Sequence, residues 1–448
     1  MARQALSADQ LLAGFDAGRG ALPGAGVSWL QALRSEGRER FRTLGIPTPK
    51  VESWRYTRLR PFEDTRFRPA TEADGRISLD VVPTLTKGVR LVFVNGVYRE
   101  DLSNLKALPA CVTVQPLTQA VDAAWLEEHL GRVAAGTGQP VLALNTALMD
   151  TGAVIRIARE TRPETAHSAP IEVTYISGLR DEPIMYSPRC LILVEEGGEA
   201  TVVTHHVGLG AGAYFVNGVT EVDVRAGAKL RHYTVEAESI DAINLATTHV
   251  RVGRDAQYEA FSLAIGGRLS RNEVHVRLVA EGASCKLNGA YLMRGAEHCD
   301  NTIVVEHLAP HTSSKQVFKG VLDDESRAVF QGRIVVHKGA QKSDGHQLSK
   351  ALLLSNGAEI DQKPELEIYA DDVKCSHGAT AGQLDDQQFF YLRSRGIPEA
   401  LARNLLVQAF LGEAVEEVSD AAVRAAMMDK VVHWLPAQCY LHEQWRGR

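Results

Sequence analysis

The chain has 448 residues, of which 45% are hydrophobic and 23% charged, and its formal net charge at pH 7 is −6. This length predicts two or three soluble globular domains rather than one core, and the negative charge argues against nucleic acid as the main ligand. The six cysteines are scattered, so we expect neither a disulfide framework nor a zinc ribbon. The N-terminus lacks the apolar core of a signal peptide, and no apolar run reaches about 18 residues, so a reducing cytoplasm without membrane contact is expected.

Residues 1–165 are predicted to form an N-terminal α/β domain that is mostly helical. The predicted elements are helices over 7–17, 28–44, 117–130 and 140–149 and a strand over 91–96.

Residues 166–382 lack helical periodicity and carry a repeat. Short apolar or alternating runs are separated about every 14 residues by turn residues. The turns fall near positions 198, 212, 227, 240, 255, 268, 282, 296, 311, 324, 339, 357 and 372. Units of this size cannot close a core alone and gain stability by stacking. A β-sandwich of hairpins and a parallel β-helix of roughly six coils both fit. The apolar triplets 303–305, 334–336 and 352–354 are typical of strands buried on both faces and favour the β-helix.

Residues 383–448 are predicted to form a C-terminal helical domain. Its helices cover 385–395, about 398–411 and 420–434. The second helix carries a stripe that we interpret as its core-facing side, formed by Leu401, Leu405, Leu406, Ala409 and Phe410. Helices on both sides of the repeat are expected to cap the two ends of the stack, because uncovered strand edges promote aggregation.

Cys375 and His377 are the candidate metal ligands. They follow a run in which Leu366 and Ile368 alternate with glutamates, as in a β-strand, and residues two apart on a strand project from one face. A thiolate and an imidazole on one face are half of a soft metal site, so a second subunit is expected to supply the other ligands. Val373 shares their parity, and the alternative is therefore that His377 is a buried, hydrogen-bonded histidine.

Other potential ligands are less favourably arranged. His205 and His206 are adjacent in sequence, as are His298 and Cys299, so a strand would direct each pair to opposite faces. We expect neither pair to bind a metal.

Segments spread over most of the chain match the pattern of one family. The short matches are Glu52-Ser-Trp-Arg-Tyr-Thr57, Val92-Phe-Val-Asn-Gly96, Lys319-Gly-Val-Leu-Asp-Asp324 and Gly332-Arg-Ile-Val-Val-His-Lys338. A long and more specific match covers residues 362–380 and continues through 390–396. Together these segments resemble the SufB/SufD family of scaffold proteins in SUF iron–sulfur cluster assembly. The run Lys-Cys-Ser-His-Gly-Ala-Thr, residues 374–380, favours the SufD branch over the paralogous SufB branch.

The resemblance implies a right-handed parallel β-helix between an N-terminal domain and a C-terminal helical domain. It implies a non-enzymatic scaffold that pairs with SufB through the β-helix and binds the ATPase SufC on its C-terminal helices. Whether the chain in isolation forms a homodimer is left open by the sequence. It also implies that iron or a nascent Fe–S cluster is held transiently at the interface with SufB. By motif, His377 would be the ligand from this chain, with Cys375 beside it.

Two nucleotide-binding motifs are missing from the sequence, and two other functional classes remain as alternatives. No Gly-Lys dipeptide occurs, so the chain has no Walker A loop and no ATP site of its own, and no G-x-G-x-x-G is present to hold a flavin. The rival enzyme class is a β-helix carbohydrate lyase or hydrolase, which would need carboxylates or arginines on one outer face. A structural adaptor without metal contact is the third class.

Overall fold

A parallel solenoid forms most of the molecule. The computed structural model describes residues 7–18, 22–59, 65–78, 82–106, 108–135, 138–159, 169–210 and 212–435. The predicted mainly-β architecture with a parallel β-helix is confirmed, with about seven turns, one more than predicted, and with helices at both ends of the sequence. From Arg189 onward the neighbouring strands of each sheet run parallel, which excludes a sandwich of hairpins.

The helices agree closely with the sequence predictions. They are α1 (Ala8–Gly18), α2 (Ser28–Leu44), α3 (Glu72–Gly75), α4 (Leu117–Ala120), α5 (Ala124–His129), α6 (Pro140–Leu148), α7 (Asp386–Ser394), α8 (Glu399–Val415) and α9 (Ala421–Trp434). One predicted helix, 117–130, is instead two short ones, because Ala123 adopts an extended backbone with ψ 120°. Within the described ranges no helix combines the length and the apolar character needed to cross a membrane.

Two long sheets form the walls of the solenoid. The strands are β1 (Arg68–Pro69), β2 (Val89–Val94), β3 (Val97–Tyr98), β4 (Val112–Pro116), β5 (Ala153–Ile157), β6 (Ile171–Gly178), β7 (Ile184–Tyr186), β8 (Arg189–Val194), β9 (Glu199–Leu209), β10 (Tyr214–Val224), β11 (Lys229–Glu238), β12 (Ile243–Val252), β13 (Gln257–Gly266), β14 (Leu269–Leu278), β15 (Ser284–Met293), β16 (His298–His307), β17 (Ser313–Leu322), β18 (Arg327–Val336), β19 (Asp344–Leu353), β20 (Glu359–Ile368) and β21 (Lys374–Gly382). The even sheet runs β20-β18-β16-β14-β12-β10-β8-β5-β4, and the odd sheet runs β21-β19-β17-β15-β13-β11-β9-β6-β2-β3.

The repeat in the sequence corresponds to the coils of the solenoid. From β6 to β21 in the odd sheet, paired residues lie 27 to 31 positions apart, as in Gln257 with Ser284 and Ser313 with Asp344. Turns separate the strands close to the predicted positions, and several turn residues have a left-handed backbone, such as Gly227 at φ 62° and Asp255 at φ 53°. Glycine and aspartate tolerate that conformation better than most residues, which is why they mark the corners in the sequence.

The helices do not cap both ends of the stack as expected. At the N-terminal end, β2–β5 extend the two sheets beyond the solenoid. The C-terminal helices lie along the outer face of the odd sheet, where Val407 and Leu411 of α8 pack with Val235 and Leu263. This outer face carries apolar side chains that need to be covered, and the helices cover them instead of the last coil.

The predicted core-facing side of α8 is also wrong. The buried residues of this helix are Ala402, Val407, Leu411, Ala414 and Val415. Leu405, from the predicted stripe, is 39% exposed. None of the five residues of the predicted stripe is buried, although Phe410 packs partly against the solenoid.

Two glutamates lie inside the solenoid beside each other on β11. Glu236 accepts a hydrogen bond from the Ser270 hydroxyl, and Glu238 accepts from the Tyr214 hydroxyl and, at 3.1 Å, from the Asn244 amide. Burial raises the pKa of Glu236 to about 7 and that of Glu238 to about 8. In the folded chain Glu238 is therefore mainly protonated at neutral pH, and Glu236 becomes mainly protonated as the pH falls below 7.

We expect these two carboxyls to make the chain less stable as pH rises. Their folded pKa values exceed the unfolded ones, so the folded state binds extra protons between about pH 5 and pH 8, and the free energy of unfolding falls across that window by on the order of 3 kcal/mol per carboxyl. In urea unfolding, a Glu236→Gln/Glu238→Gln variant should lack this decrease in the free energy of unfolding between about pH 5 and pH 8. The control is Glu325→Gln in a turn, and an equal difference from wild type at pH 5 and pH 8 would contradict the assignment.

An N-terminal clamp, residues 52–57, lies against the outer face of the even sheet. Trp54 is 1% exposed, and the Arg271 guanidinium lies 4.2 Å from the centre of its ring. Arg271 is itself buried and forms ion pairs with Glu273, at 3.0 Å, and with Asp300, while the Thr57 hydroxyl donates a hydrogen bond to Asp300. The clamp thus joins β14 and β16 through a buried charge network.

The clamp continues to the last coil. The Gln331 amide of β18 donates to the Ser53 carbonyl at 3.1 Å, and the Lys363 ammonium of β20 lies 2.8 Å from a Glu52 carboxylate oxygen. Residues from the beginning of the chain therefore contact four successive strands of the even sheet, up to its final strand.

Candidate functional site

The candidate ligands lie on the terminal coil of the solenoid, formed by β20 and β21. Within the described part of the chain, each of these strands ends its sheet, and β21 pairs along its length with β19 alone. Most residues of β21 are exposed, whereas the strands of the preceding coils are largely buried. The coil thus presents an unpaired strand edge and an uncovered interior.

Cys375 points towards the interior of the solenoid. Its register neighbours in the odd sheet are Gly345 and then Ser314, and its side chain packs, half-buried, against a cluster that includes Ile334 and Val336. Burial raises the pKa of the Cys375 thiol. The thiol is therefore mainly protonated at neutral pH, and binding a metal would require it to lose that proton.

His377 belongs to the next inward-facing position of the same strand. Its register neighbour is the buried Gln347, and beyond that lies the buried Gln316. Among the described residues no further coil covers His377, which is exposed, and it has no hydrogen-bond partner there. The alternative of a sealed, hydrogen-bonded histidine is thereby excluded. The predicted shared parity of the two residues is consistent with these register positions.

The layer beneath His377 contains two buried glutamines and a side-chain oxygen that accepts no hydrogen bond in the described part of the chain. The side-chain amide of Gln347 donates a hydrogen bond to the side-chain oxygen Oε1 of Gln316 at 3.2 Å. The Gln347 Oε1 atom itself is buried without a partner within the described part of the chain. Sequence reasoning missed this pair, because glutamines at these positions stand out only after the coils are placed in register. A carbonyl oxygen here is a suitable acceptor for an imidazole N–H above it.

The site is incomplete within one chain. No three His, Cys, Asp or Glu residues of the described ranges are grouped so as to hold a metal ion. The nearby His346 is engaged elsewhere, since it lies 2.6 Å from Asp344 and its Nδ1 lies 2.7 Å from the Ser376 hydroxyl. Two ligands fall short of the four that soft metal centres usually take, so further ligands would have to come from outside this coil.

The less favoured histidines and cysteines occupy separate places. His205 faces the outside of the odd sheet, 3.4 Å from Glu172, while His206 stacks on Tyr175 at 5.0 Å. His298 contacts the clamp residue Thr57 at 3.1 Å, and Cys299 is buried in the core. Each of these four residues makes contacts within the fold, and we interpret them as structural residues.

Exposed apolar side chains lie next to the candidate ligands and on the C-terminal helices. On the terminal coil, Ile368 and Tyr369 are 43% and 63% exposed. On the helices, a helical patch is formed by Phe390, Tyr391 and Leu405, of which Phe390 is 73% exposed. The alternation in the sequence predicted the strand at Ile368, but it gave no signal that the coil is the last and lies open.

Comparisons with known proteins cover nearly the whole chain. Residues 177–410 match the family model for the SufBD core domain of SUF system FeS cluster assembly, and residues 6–167 match the model for the SufBD protein N-terminal region. An iron–sulfur cluster assembly SufBD family protein from Synechocystis is 32% identical, over 86% of each chain. Iron–sulfur cluster assembly protein SufD from Escherichia coli is 31% identical, over 88% of this chain and 90% of its own length. The chloroplastic protein ABCI7 from Arabidopsis thaliana is 30% identical, over 88% of this chain and 84% of its own.

Proposed function

The chain belongs to the SufBD family of iron–sulfur cluster assembly proteins and is SufD-like, and on that premise we propose that it is the SufD-type scaffold subunit of a SUF complex. In this role it pairs with SufB, binds SufC and helps to hold iron or a nascent cluster as cargo. The observation that carries the proposal is the pair of His377 and Cys375 at an uncovered coil with an unpaired edge. The many free thiols suit a reducing cytoplasm.

The terminal coil supports pairing with a second solenoid. An unpaired strand with exposed Ile368 and Tyr369 is a ready surface for another sheet edge. SufB, as a paralogue of similar fold, would present a comparable end and bury these side chains. In isolation, two copies of this chain would use the same end for a homodimer.

The chemistry of the site supports a shared cluster rather than a metal held by one chain. The exposed imidazole of His377 is available as the first ligand, and the protonated thiol of Cys375 would follow with release of a proton. Iron in such centres is bound by thiolate and imidazole. The remaining ligands would be those of SufB, so cluster formation and subunit pairing depend on each other.

The proposal is tested by co-expressing the chain with SufB and SufC. We expect a complex of all three proteins that carries iron and acid-labile sulfide after anaerobic purification. Purification of this chain free of both others would contradict the scaffold role. Cleavage of a polyuronate by the purified chain would instead support the carbohydrate-active enzyme, which the family matches disfavour.

The helical patch is the proposed contact for SufC. A Phe390→Ala/Tyr391→Ala variant should lose SufC from the purified complex by about tenfold or more, because exposed aromatic anchors dominate many interfaces. SufB should remain bound, since the terminal coil is unchanged. The control is Ile240→Ala, a 73% exposed residue in a solenoid turn. Equal SufC content in both variants would rule out this contact.

A further inference from the structure

An arginine-rich groove crosses the outer face of the even sheet, remote from the terminal coil. It lies between the segment 128–133, which includes the end of α5, and the even-sheet strands β8, β10, β12 and β14, and its volume is about 960 Å³. Ligand sites in proteins commonly span about 300–1,000 Å³. Six arginines and four carboxylates line the groove, together with His129. The positive charge therefore exceeds the negative charge on its walls.

Three positions of a ladder of charges, on β10, β12 and β14, lie on the floor of the groove, and the fourth position, on β16, lies outside the groove lining. Asp223, Arg251, Arg277 and Glu306 are consecutive register neighbours. Arg251 pairs with Asp223 at 3.0 Å, and Arg277 lies 3.9 Å from Glu306. Two guanidinium groups are thus adjacent in the middle of the ladder, with one carboxylate at each outer end. Like charges on adjacent strands are destabilising, so folding alone does not favour this order.

The other arginines widen the basic surface. Arg225 lies 3.4 Å from Asp223, which Arg251 already engages, so one carboxylate is shared by two cations. Arg132 and Arg159 line the groove as well, and within the described ranges neither has an ion-pair partner. The Arg225 and Arg251 side chains are 44% and 46% exposed, so they are accessible to a ligand.

We propose that this groove binds a small molecule carrying two or more phosphate groups, such as a nucleoside diphosphate. Guanidinium groups form paired hydrogen bonds with phosphate oxygens. Strands that are about 4.8 Å apart place Arg251 and Arg277 so that they can contact neighbouring phosphates. Arg132 and Arg159, from the other wall, would neutralise the remaining charge. The site is for binding only, because the chain has no Walker A sequence with which to hydrolyse a nucleotide.

Calorimetric titration of the full chain tests this site. Pyrophosphate and ADP are expected to bind with dissociation constants of about 1 mM or tighter, more weakly as salt rises from about 50 to about 200 mM, whereas adenosine should not bind. The double variants Arg251→Gln/Arg277→Gln and Arg132→Gln/Arg159→Gln should each weaken binding by about tenfold or more. The matched control is Arg327→Gln, an exposed arginine of the same sheet outside the groove, and it should leave binding unchanged.

The outcomes separate the alternatives. The Arg251→Gln/Arg277→Gln variant removes a like-charge contact together with two largely exposed ion pairs, so its melting temperature should change little. The Arg132→Gln/Arg159→Gln variant tests the site through residues that do not belong to the strands. Absence of pyrophosphate and ADP binding, or binding that ignores both double variants, would overturn the proposal. Equally tight binding of polyglutamate would also overturn it, because the groove would then be a surface for acidic protein.

Discussion

A His377→Ala chain, co-expressed with SufB and SufC, should still assemble but should carry about tenfold less iron and acid-labile sulfide per complex. The reason is that the imidazole is exposed on the last coil and makes no hydrogen bond within the described residues, so its removal costs little folding free energy. A Cys375→Ser chain should lose less, since the thiol is half-buried, has a raised pKa and would bind only after deprotonation.

The control for this experiment is His346→Ala. His346 is also exposed and belongs to the neighbouring strand β19, but its ring pairs with Asp344 and is not in the inward position. Its removal should leave the cluster content unchanged. If His377→Ala and His346→Ala complexes carry equal iron, His377 is no ligand. If His377→Ala abolishes the complex itself, the residue acts in subunit pairing instead.

An Arg271→Ala chain should lose about 3–5 kcal/mol of unfolding free energy at pH 7. Arg271 is 1% exposed, and its removal leaves the carboxylates of Asp300 and Glu273 buried without their cation. Burial alone would raise the Glu273 pKa, but the Arg271 charge, together with His275, outweighs it and holds that pKa below its usual value. The variant also removes the cation above the Trp54 ring.

Urea unfolding of the full chain measures this loss, with Arg327→Ala as the control. Arg327 pairs with Glu359 at 3.3 Å on the same sheet, but both side chains are about 60% exposed, so its removal should cost no more than about 1 kcal/mol. Similar losses of unfolding free energy in the two variants would show that the buried network stabilises the fold no more than an exposed ion pair does.

The coils of this fold are predictable from sequence because the corners are local. Gly227 and Asp255 mark turns through their own backbone preferences, and strands between corners follow from apolar alternation. The shared inward parity of Cys375 and His377 follows from the same alternation. The placement of α8 was not predictable in this way, since both of its sides carry leucines and only the outer face of the odd sheet decides which is buried.

Two features of the site depend on contacts between distant parts of the chain. The exposure of His377 arises because β21 is the last strand of its sheet in the described chain, and no local sequence pattern indicates this. The contact of Trp54 with Arg271 joins residues more than 200 positions apart, and neither residue alone signals the other. Such long-range pairs can be recognised only after the register of the strands is known.

The N-terminal clamp also sets an order of events during synthesis. Thr57 and Asp300 are 243 positions apart, and Glu52 and Lys363 are 311 apart. At a ribosomal rate of about 5–20 residues per second, the segment emerges roughly 15–60 s before its last acceptor strand exists. Docking of this segment is therefore completed only after β20 has been made. A chain that terminates before β14 is made leaves the Trp54 ring without its Arg271 partner. The exposed apolar ring is then available for recognition by chaperones and proteases.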